Sequence, residues 1–383
     1  MMPSTSQPSH PNTHVHYDPS RFAEQLTPDR LATLASRGWV AIDGFFGSPW
    51  SSALLDELRA VRSRGDLVRN RTQFGLPDGR VLVTQKPHIY EADLHDGGVR
   101  AKLPELGALF RGDDLVDALN AARPALRLTR GVNGKTIKLQ YNAGSGACFP
   151  VHYDNPGKPN KRKLTLLVYL NEGWRDGDGG ELQLLPFMDA PVVLAPSMDR
   201  LVVFESERIL HRVLPARKER FCFTVWLDGE DTNRKVGVRF EGIPPLLSLS
   251  LSLSLSHAHT YTFTRIHTHS HIRTPTLPFG FFWQEDGYVR VAPGAAIEDI
   301  AAGLASGPSQ RIVSRALYRE EYEASLRECM QGAEGEDAMV ALHRAHLAAV
   351  AKHDQLSRLV QRLRDLKQAR GREQEGEGAG ASK

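Results

Sequence analysis

The sequence predicts a mainly β fold, a β-sandwich or jelly roll, with helices before and after it. Between residues 135 and 227, short apolar segments of strand length alternate with turns rich in Gly, Pro, Asp and Asn. Helical periodicity instead dominates residues 48–61 and the part after residue 312. The chain has 383 residues, of which 41% are apolar. This is enough for a buried core and allows one large domain with appendages, or two domains.

The N-terminal part of the predicted domain begins with helices and one strand. Residues 27–29, Thr-Pro-Asp, have the composition of a helix start, and Gly38 is a suitable end. Residues 39–42 are predicted to form a strand. A second helix is predicted after residues 48–49, Ser-Pro, because the leucines and the valine that follow recur at helical spacing.

The β core is predicted from short apolar or alternating segments bounded by turn residues. These segments are residues 136–141, 164–170, 181–185, 192–194, 201–204 and 221–227.

Three segments of biased composition lie outside these elements. Residues 1–20, rich in Pro, Ser and His, and residues 371–383, rich in Gly and Glu, are predicted to be disordered tails. Residues 247–256 repeat Leu-Ser five times and precede a His/Thr-rich stretch, so residues 243–280 are interpreted as translated low-complexity sequence. The alternatives are an amphipathic edge strand and loose metal binding by the histidines that follow it.

Residues 281–370 are predicted to be a helical extension. Helices are expected over residues 312–330 and 336–368. The second contains a three-four-three spacing typical of a short coiled-coil seam, formed by Leu356, Leu359, Leu363 and Leu366. This seam fits self-association, and it fits packing of the helix on its own domain at least as well.

Composition excludes several classes of protein. The 48 Lys and Arg nearly balance the 45 Asp and Glu, so a cationic coat for nucleic acid is not implied. No apolar run approaches the roughly 20 residues that span a bilayer, and the N-terminus lacks the apolar stretch of a secretory signal. The three cysteines, Cys148, Cys222 and Cys329, do not suggest a disulfide framework. We therefore expect a reducing compartment, the cytoplasm or nucleus.

The most informative motif is His-Tyr-Asp at residues 152–154. Residues i and i+2 of a strand point to the same side, so His152 and Asp154 can offer an imidazole nitrogen and a carboxylate oxygen to one point. His211 can supply a second imidazole. Two histidines and one carboxylate on one face of a metal leave positions open, which is the arrangement of non-haem Fe(II) oxygenases. A His-x-Asp pair alone is common by chance.

Arg220 begins the apolar run of residues 221–227, and an arginine that enters a buried strand needs an anionic partner. That partner could be an Asp or Glu of the chain, or the distal carboxylate of a dicarboxylic cosubstrate, which a guanidinium binds in a bidentate manner. Tyr169 could donate its hydroxyl to the same carboxylate, or it could be an ordinary core residue.

Together these residues resemble the 2-oxoglutarate- and Fe(II)-dependent dioxygenases. The resemblance is closest to the prolyl 4-hydroxylase branch, especially the cytosolic oxygen-sensing (hypoxia-inducible-factor-type) prolyl hydroxylases. It is strong over residues 136–230, weaker back to residue 22, and does not cover residues 246–383. The segments that carry it are His152-Tyr153-Asp154-Asn155-Pro156, Tyr169-Leu170-Asn171, Gly179-Gly180-Glu181-Leu182, Asp199-Arg200-Leu201, His211-Arg212-Val213-Leu214-Pro215, Arg220 and Thr224-Val225-Trp226.

The resemblance implies a double-stranded β-helix (jelly-roll) dioxygenase domain at residues 21–242, with its core at 136–230. It implies Fe(II) held by His152, Asp154 and His211. The iron, with 2-oxoglutarate and O2, would hydroxylate a proline-containing protein or peptide and release succinate and CO2. Ascorbate is the implied reductant, and neither a membrane nor nucleic acid is an expected partner.

The resemblance also implies the cosubstrate contacts. The C5 carboxylate of 2-oxoglutarate would be held by Arg220 and Tyr169. The branch has a further tyrosine ten residues before the first metal histidine, which reaches the cosubstrate. Tyr141 lies eleven residues before His152 and is assigned this contact, with one residue inserted in the loop at residues 142–146.

Other classes remain open at this stage. A cupin-like metal protein could use the same three ligands but would not need Arg220. Nucleic-acid demethylases usually add a second arginine six residues after the first, but this chain has Trp226 at that position. Plant-type small-molecule oxygenases prefer the motif Arg-x-Ser, but here Cys222 stands in place of the serine. An interaction module built on the C-terminal helices is the non-enzyme alternative. The protein substrate cannot be carried over, because residues 69–100, which would supply a substrate-covering loop, show little similarity.

Overall fold

The computed structural model describes residues 16–75, 81–155, 157, 160–230, 237–240 and 288–380. The helices are α1 (Ser20–Gln25), α2 (Pro28–Arg37), α3 (Ser48–Arg64), α4 (Gly97–Arg100), α5 (Pro104–Arg111), α6 (Asp114–Ala122), α7 (Ile297–Ala305), α8 (Arg311–Leu317), α9 (Arg319–Met330), α10 (Glu336–Ala351) and α11 (Asp354–Gly380). The strands are β1 (Trp39–Asp43), β2 (Val68–Gly75), β3 (Val81–Asp93), β4 (Lys135–Asn142), β5 (Ala147–His152), β6 (Arg162–Tyr169), β7 (Leu182–Leu185), β8 (Val192–Leu194), β9 (Arg200–Glu205), β10 (Leu210–Ala216), β11 (Arg220–Asp228), β12 (Gly237–Phe240) and β13 (Tyr288–Val291).

Two antiparallel sheets form the core. The larger sheet has the strand order β1-β9-β6-β11-β4-β3-β2, and the smaller sheet has the order β5-β10-β7-β8. One cluster of buried side chains joins them, with Tyr169 and Cys222 from the larger sheet and Leu182 and Leu184 from the smaller sheet. This is a jelly-roll-like arrangement, so the predicted fold class is confirmed. Strands β12 and β13 form a separate parallel pair.

N-terminal helices cover the outer face of the larger sheet. In β4 and β11, alternate residues such as Leu139 and Phe223 are cross-strand partners. They pack in one buried cluster with residues of α2, α3 and α6, among them Leu34, Leu54 and Leu119. Because side chains alternate along a strand, the residues between them face the interior of the jelly roll.

C-terminal helices cover the smaller sheet. Val151 of β5 and Leu210 of β10 belong to a second buried cluster, which also contains Ile300 of α7, Val313 of α8 and Leu359 of α11. The helical extension is therefore packed against the strands on which His152 and His211 lie.

The N-terminal helices and strand agree with their prediction. Helix α2 begins after Thr27, whose side chain accepts a hydrogen bond from the backbone N–H of Arg30, and ends at Gly38, which has a φ of 79°. Helices commonly end at a glycine in the left-handed conformation. Strand β1 and helix α3 follow at the expected positions, and β4, β6, β7, β8, β9 and β11 end within two residues of their predicted bounds.

Strands β2 and β3 were not predicted. They pair antiparallel and continue the larger sheet beyond β4. Their residues are largely polar, and Val68, Val81 and Val83 are exposed. Sequence periodicity therefore could not indicate a strand that lacks one continuous apolar face.

The predicted C-terminal helices are each divided in two. The first is interrupted at Tyr318, between α8 and α9, and the second between α10 and α11. Three of the seam leucines, at positions 356, 359 and 363, are buried in the second cluster, so the seam packs within the chain. Helix α11 continues to Gly380 and so extends into the segment that was predicted to be disordered, residues 371–383. Extending an existing helix adds a hydrogen bond for each residue fixed, whereas starting one is costly.

The N-terminal tail is shorter than predicted. Residues 16–20 are ordered: the Tyr17 ring lies edge-on to Trp50 at 5.5 Å, and its hydroxyl donates to Asp114 at 2.7 Å. Residues 1–15 and the Leu-Ser and His/Thr-rich segment lie outside the described residues. Within the described ranges, no helix has the length and apolar character needed to cross a membrane.

A disulfide joins Cys148 of β5 to Cys329 of α9, with a Cα–Cα distance of 5.1 Å. The sparse cysteines did not indicate this pair, and Cys222 is free and buried. The two partners are 181 residues apart in the chain. Only the packing of α9 against β5 brings them together, and cysteine count and spacing carry no information about that packing.

Candidate active site

His152, Asp154 and His211 meet at one point at the end of the smaller sheet. His152 is the last residue of β5, and His211 is its direct cross-strand partner in β10. Nε2 of His152 lies 3.5 Å from Oδ1 of Asp154, and Nε2 of His211 lies 3.8 Å from Oδ2 of the same carboxylate. The three donor atoms are close enough together to hold one metal ion. The structure thus brings together the three residues that the sequence predicted as ligands.

Both histidine rings are held by backbone carbonyls. Nδ1 of His152 lies 2.7 Å from the carbonyl oxygen of Pro150, and Nδ1 of His211 lies 3.1 Å from that of Ile209. A carbonyl can only accept, so each Nδ1 carries the proton and each Nε2 presents its lone pair to the site. This is the tautomer that a metal ligand needs.

The carboxylate is oriented by a hydroxyl from the larger sheet. Thr165 of β6 is fully buried and donates its hydroxyl to Oδ2 of Asp154 at 2.7 Å. The Thr165 hydroxyl also lies 2.8 Å from that of Ser206. No sequence motif indicates this pair, because Thr165 lies eleven residues after Asp154 and belongs to the other sheet.

Charges in the site suit metal binding. Burial alone would raise the pKa of Asp154, but His211 and His152 hold that pKa well below its usual range. Burial lowers the pKa of His211 to about 4. The ligand set is therefore a carboxylate with a neutral imidazole at His211, and metals bind deprotonated ligands.

Arg220 lies inside the jelly roll without an acidic partner among the described residues. Its side chain is buried, with 3% exposed, and its hydrogen bond goes from Nη1 to Sγ of Cys222 at 3.1 Å. The guanidinium carbon lies 4.9 Å above the ring of Tyr169. Its Nε and the hydroxyl of Tyr169 have no hydrogen-bond partner in the described ranges. A buried cation needs an anion, so an anion from outside the chain fits better than the internal-pair alternative.

Buried polar atoms without partners mark the interior face of β4, β6 and β11. Burial raises the pKa of Tyr169 well above its usual value, so its hydroxyl remains a donor. The unpartnered atoms nearest the guanidinium of Arg220, Nδ2 of Asn142 and the hydroxyl of Tyr169, are donors that suit a carboxylate of a small dicarboxylic acid. The whole set is Nδ2 and Oδ1 of Asn142, the hydroxyl of Tyr169, Nε of Arg220, the hydroxyl of Thr224 and Nε1 of Trp226.

Tyr141 lies apart from this set of atoms. Its hydroxyl donates to Glu219 at 2.6 Å, and the guanidinium of Arg62 lies 4.4 Å from the centre of its ring. Its cross-strand partner is Phe221, and both belong to the outward-facing cluster under the N-terminal helices. The structure therefore does not bring Tyr141 to Arg220 and Tyr169, and its cosubstrate contact stays a prediction. Successive residues of a strand point to opposite faces, so Tyr141 and Asn142 lie on opposite faces of β4.

The β2–β3 hairpin borders the site where a substrate-covering segment was expected. Lys86 of β3 places its ammonium 4.2 Å from the centre of the Phe149 ring in β5, and burial lowers the pKa of Lys86 to about 8. Thr84 of the same strand donates its hydroxyl to the carbonyl of Glu334, which precedes α10. The hairpin thus links the larger sheet to the C-terminal extension.

The extension holds the metal-ligand strand from the other side. The backbone N–H of Val151 donates to the hydroxyl of Ser325 at 3.0 Å. The hydroxyl of Tyr153 lies 2.8 Å from that of Ser314. These two residues flank His152 in the chain, so helices α8 and α9 fix the backbone on both sides of this ligand.

A second group of possible metal ligands, Cys148, Glu328 and Cys329, lies at the contact between β5 and α9. The two cysteines form the disulfide, and this group is separate from the histidine site.

Comparisons with known proteins agree with this geometry. Residues 138–228 match the family described as the 2OG-Fe(II) oxygenase superfamily. A crystal structure from a study of prolyl 4-hydroxylases of Phytophthora capsici is 35% identical and has a TM-score of 0.67. The alignment covers 94% of this chain and 99% of that chain.

A curated protein, the hypoxia-inducible factor prolyl hydroxylase of Caenorhabditis elegans, is 29% identical over 207 residues. The alignment covers 51% of this chain and 27% of the nematode protein, so the chain matches about a quarter of that relative.

Proposed function

Because the chain belongs to the 2OG-Fe(II) oxygenase superfamily, we propose that it hydroxylates a prolyl residue of a protein or peptide. In this reaction 2-oxoglutarate and O2 are consumed. One oxygen atom is inserted into a C–H bond of the prolyl residue to give a hydroxyl group, and the other enters succinate as CO2 leaves. The observation that carries the proposal is the buried Arg220, which lies beside Tyr169 without an acidic partner in the described chain and shares the jelly-roll interior with the three candidate ligands.

The donor set fits Fe(II), which would be held by His152, Asp154 and His211. When bound, Fe(II) and 2-oxoglutarate supply the oxygen activation and the decarboxylation. The chain positions the ligand atoms and sets their protonation states. The unprotonated Nε2 atoms of both histidines face the site, and Thr165 fixes the orientation of the Asp154 carboxylate.

Arg220 and Tyr169 would hold the distal C5 carboxylate of 2-oxoglutarate. The guanidinium would supply charge and the tyrosine a neutral donor, and both lie next to apolar side chains such as Leu184. Exclusion of water strengthens the attraction between the carboxylate and the guanidinium. A cupin-like metal protein with the same three ligands gives no reason for this buried cation.

The substrate class rests on the relatives. The prolyl 4-hydroxylase structure matches this chain over nearly its whole length, and the nematode relative is named for a protein substrate. We also propose ascorbate as the reductant and the cytoplasm or nucleus as the location. In a reducing compartment, Cys148 and Cys329 would be thiols, which a count of free thiols in freshly lysed cells can test.

The test is hydroxylation of a panel of proline peptides. We expect succinate release that depends on Fe(II) and peptide, with a mass increase of one oxygen on the same peptide. A matched peptide with alanine in place of proline should be inert, and the His152→Ala protein should be inactive. Hydroxylation at another residue type, or turnover only with a small molecule, would refute prolyl hydroxylation and leave the superfamily assignment intact.

A further inference from the structure

Asn142 is a buried polar residue to which the motifs assign no role. It is the last residue of β4 and the direct cross-strand partner of Arg220 in β11. The residue is 0% exposed, and neither Oδ1 nor Nδ2 has a hydrogen-bond partner within the part of the chain that the structure describes. An amide that is buried without hydrogen bonds destabilises the fold, so such a group needs an explanation.

On the other side of Asn142, the described residues offer no hydrogen-bond partner. Its second cross-strand neighbour, Ile89 of β3, is apolar and fully buried. Ile89 packs with Ala147, Phe149 and Val213 of the smaller sheet. Among the described residues, the polar neighbour across the strand pair is Arg220, whose Nε also lacks a partner.

Directly opposite residues of an antiparallel pair have Cβ atoms about 4.5–5.5 Å apart and share one face of the sheet. The unpartnered groups of Asn142 and Arg220 therefore face the same space. The hydroxyl of Tyr169 in β6, above which the guanidinium of Arg220 lies, faces it as well. Three neighbouring strands thus direct unpaired donors into one place.

We propose that Nδ2 of Asn142 donates a hydrogen bond to the distal C5 carboxylate of 2-oxoglutarate, as a third anchor beside Arg220 and Tyr169. This inference rests on the proposed function. A neutral amide suits the position, because Arg220 already balances the charge of the carboxylate. Tyr141, the preceding residue, lies on the opposite face of β4 and does not face this space.

The test separates the two ends of the cosubstrate. The full-length protein is loaded with Mn(II), and the dissociation constants of 2-oxoglutarate and oxalate are measured by calorimetry without turnover. Oxalate can chelate the metal but has no distal carboxylate. We expect Asn142→Ala to raise the Kd of 2-oxoglutarate about ten- to hundredfold, which corresponds to about 1.4–2.8 kcal/mol. The Kd of oxalate should remain unchanged.

Two more variants keep the test independent of folding. Asn142→Leu has a similar size without the amide, so it should weaken 2-oxoglutarate binding without lowering the Tm of the ligand-free protein. Asn120→Ala is the matched control. Asn120 lies in α6, and both ends of its side-chain amide are hydrogen-bonded to the backbone of Leu128. This control should leave both dissociation constants unchanged.

The outcomes are distinguishable. Unaltered binding of 2-oxoglutarate in Asn142→Ala would overturn the inference, and if Arg220→Ala still loses binding, the cosubstrate site stands. Equal weakening of oxalate and 2-oxoglutarate would also overturn it, since the change would then act on the whole pocket. Failure of the unmodified Mn(II) protein to bind 2-oxoglutarate would refute the proposed function together with the inference.

Discussion

The two sheets of the jelly roll support the site in different ways. In the larger sheet, Arg220 and Tyr169 lie on neighbouring central strands, β11 and β6, which are hydrogen-bonded on both sides. In the smaller sheet, His152 lies on β5, an edge strand whose one neighbour in that sheet is β10. The cosubstrate end of the site is therefore held by a continuous ladder, and the metal end by a strand with one open edge.

The C-terminal extension compensates for that open edge. An edge strand leaves backbone groups without partners, and the hydroxyl of Ser325 accepts the N–H of Val151 where a neighbouring strand would otherwise do so. Arg311 of α8 donates to the backbone carbonyl of Asn155 at 2.5 Å. A central strand is positioned by hydrogen bonds to the strands on both of its sides. By contrast, β5 and the residues that follow it are positioned by contacts with helices more than 150 residues away in the chain.

The largest effect is expected from removal of a metal ligand. His152→Ala or His211→Ala removes one of three ligands, so each should abolish binding of Fe(II), Mn(II) or Co(II) and all turnover. Binding is measured by calorimetry with Mn(II). His95→Ala is a suitable control, because the His95 ring contacts the backbone of Lys135 away from the site. Full-affinity binding in both ligand variants would show that the metal site is elsewhere.

The cosubstrate anchor in the larger sheet should come next. Arg220→Ala should raise the 2-oxoglutarate requirement by one to several decades, because loss of one partner of a buried charge pair costs about 3–5 kcal/mol. Arg220→Lys should restore part of this, since lysine keeps the charge but not the planar fork. Steady-state KM for 2-oxoglutarate is the measurement. An unchanged KM in Arg220→Ala would mean that the guanidinium has a purely structural role.

The covalent link between the smaller sheet and its extension provides a third test. Cys329→Ser should lower the stability of the oxidised protein by about 2–5 kcal/mol, the usual cost of losing a native disulfide. Thermal unfolding with and without dithiothreitol measures this. The reductant should lower the Tm of the unmodified protein and leave that of Cys329→Ser unchanged. Equal Tm values for the oxidised and reduced unmodified protein would contradict a stabilising role for the link.

A smaller effect is expected from removal of the Thr165 hydroxyl, through which the larger sheet contacts the candidate metal ligand Asp154. Thr165→Val keeps the side-chain shape but removes the hydroxyl that donates to Asp154. Loss of such an orienting group typically weakens metal binding about 10–100-fold, which Mn(II) calorimetry can measure. Thr33→Val on the exposed side of α2 is the control. An unaltered metal affinity in Thr165→Val would show that the His and Asp ligands need no support from the larger sheet.

The smallest effect is expected from excision of residues 246–278. The candidate ligands and Arg220 all precede this segment, and long surface insertions cost little beyond a loop-closure entropy that grows slowly with length. Tm and 2-oxoglutarate turnover should therefore change little. If the segment instead forms an edge strand or a second metal site, excision would lower the Tm by about 2–4 °C for each kcal/mol lost, or remove a metal equivalent. Either result would refute the low-complexity interpretation.

The sequence by itself determined the features that depend on neighbouring residues. The start of α2 at Thr27 and its end at Gly38 follow from local backbone preferences. The burial of Arg220 follows from the apolar run that it begins, and the His-x-Asp spacing indicates that His152 and Asp154 can reach one point, although Asp154 lies two residues beyond the end of β5. These features need no knowledge of what packs against the strand.

The tertiary structure decided the features that depend on register and on distant packing. Asn142 faces Arg220, and Tyr141 faces Arg62, because a shift of one residue exchanges the two faces of a strand, and only the paired strand fixes that register. Cys148 meets Cys329, and Val151 meets Ser325, because helix α9 returns to the open edge of β5. Burial of apolar surface drives such contacts but has no direction. The amphipathic pattern of a helix therefore shows that it will pack, and only the folded chain shows against which strand.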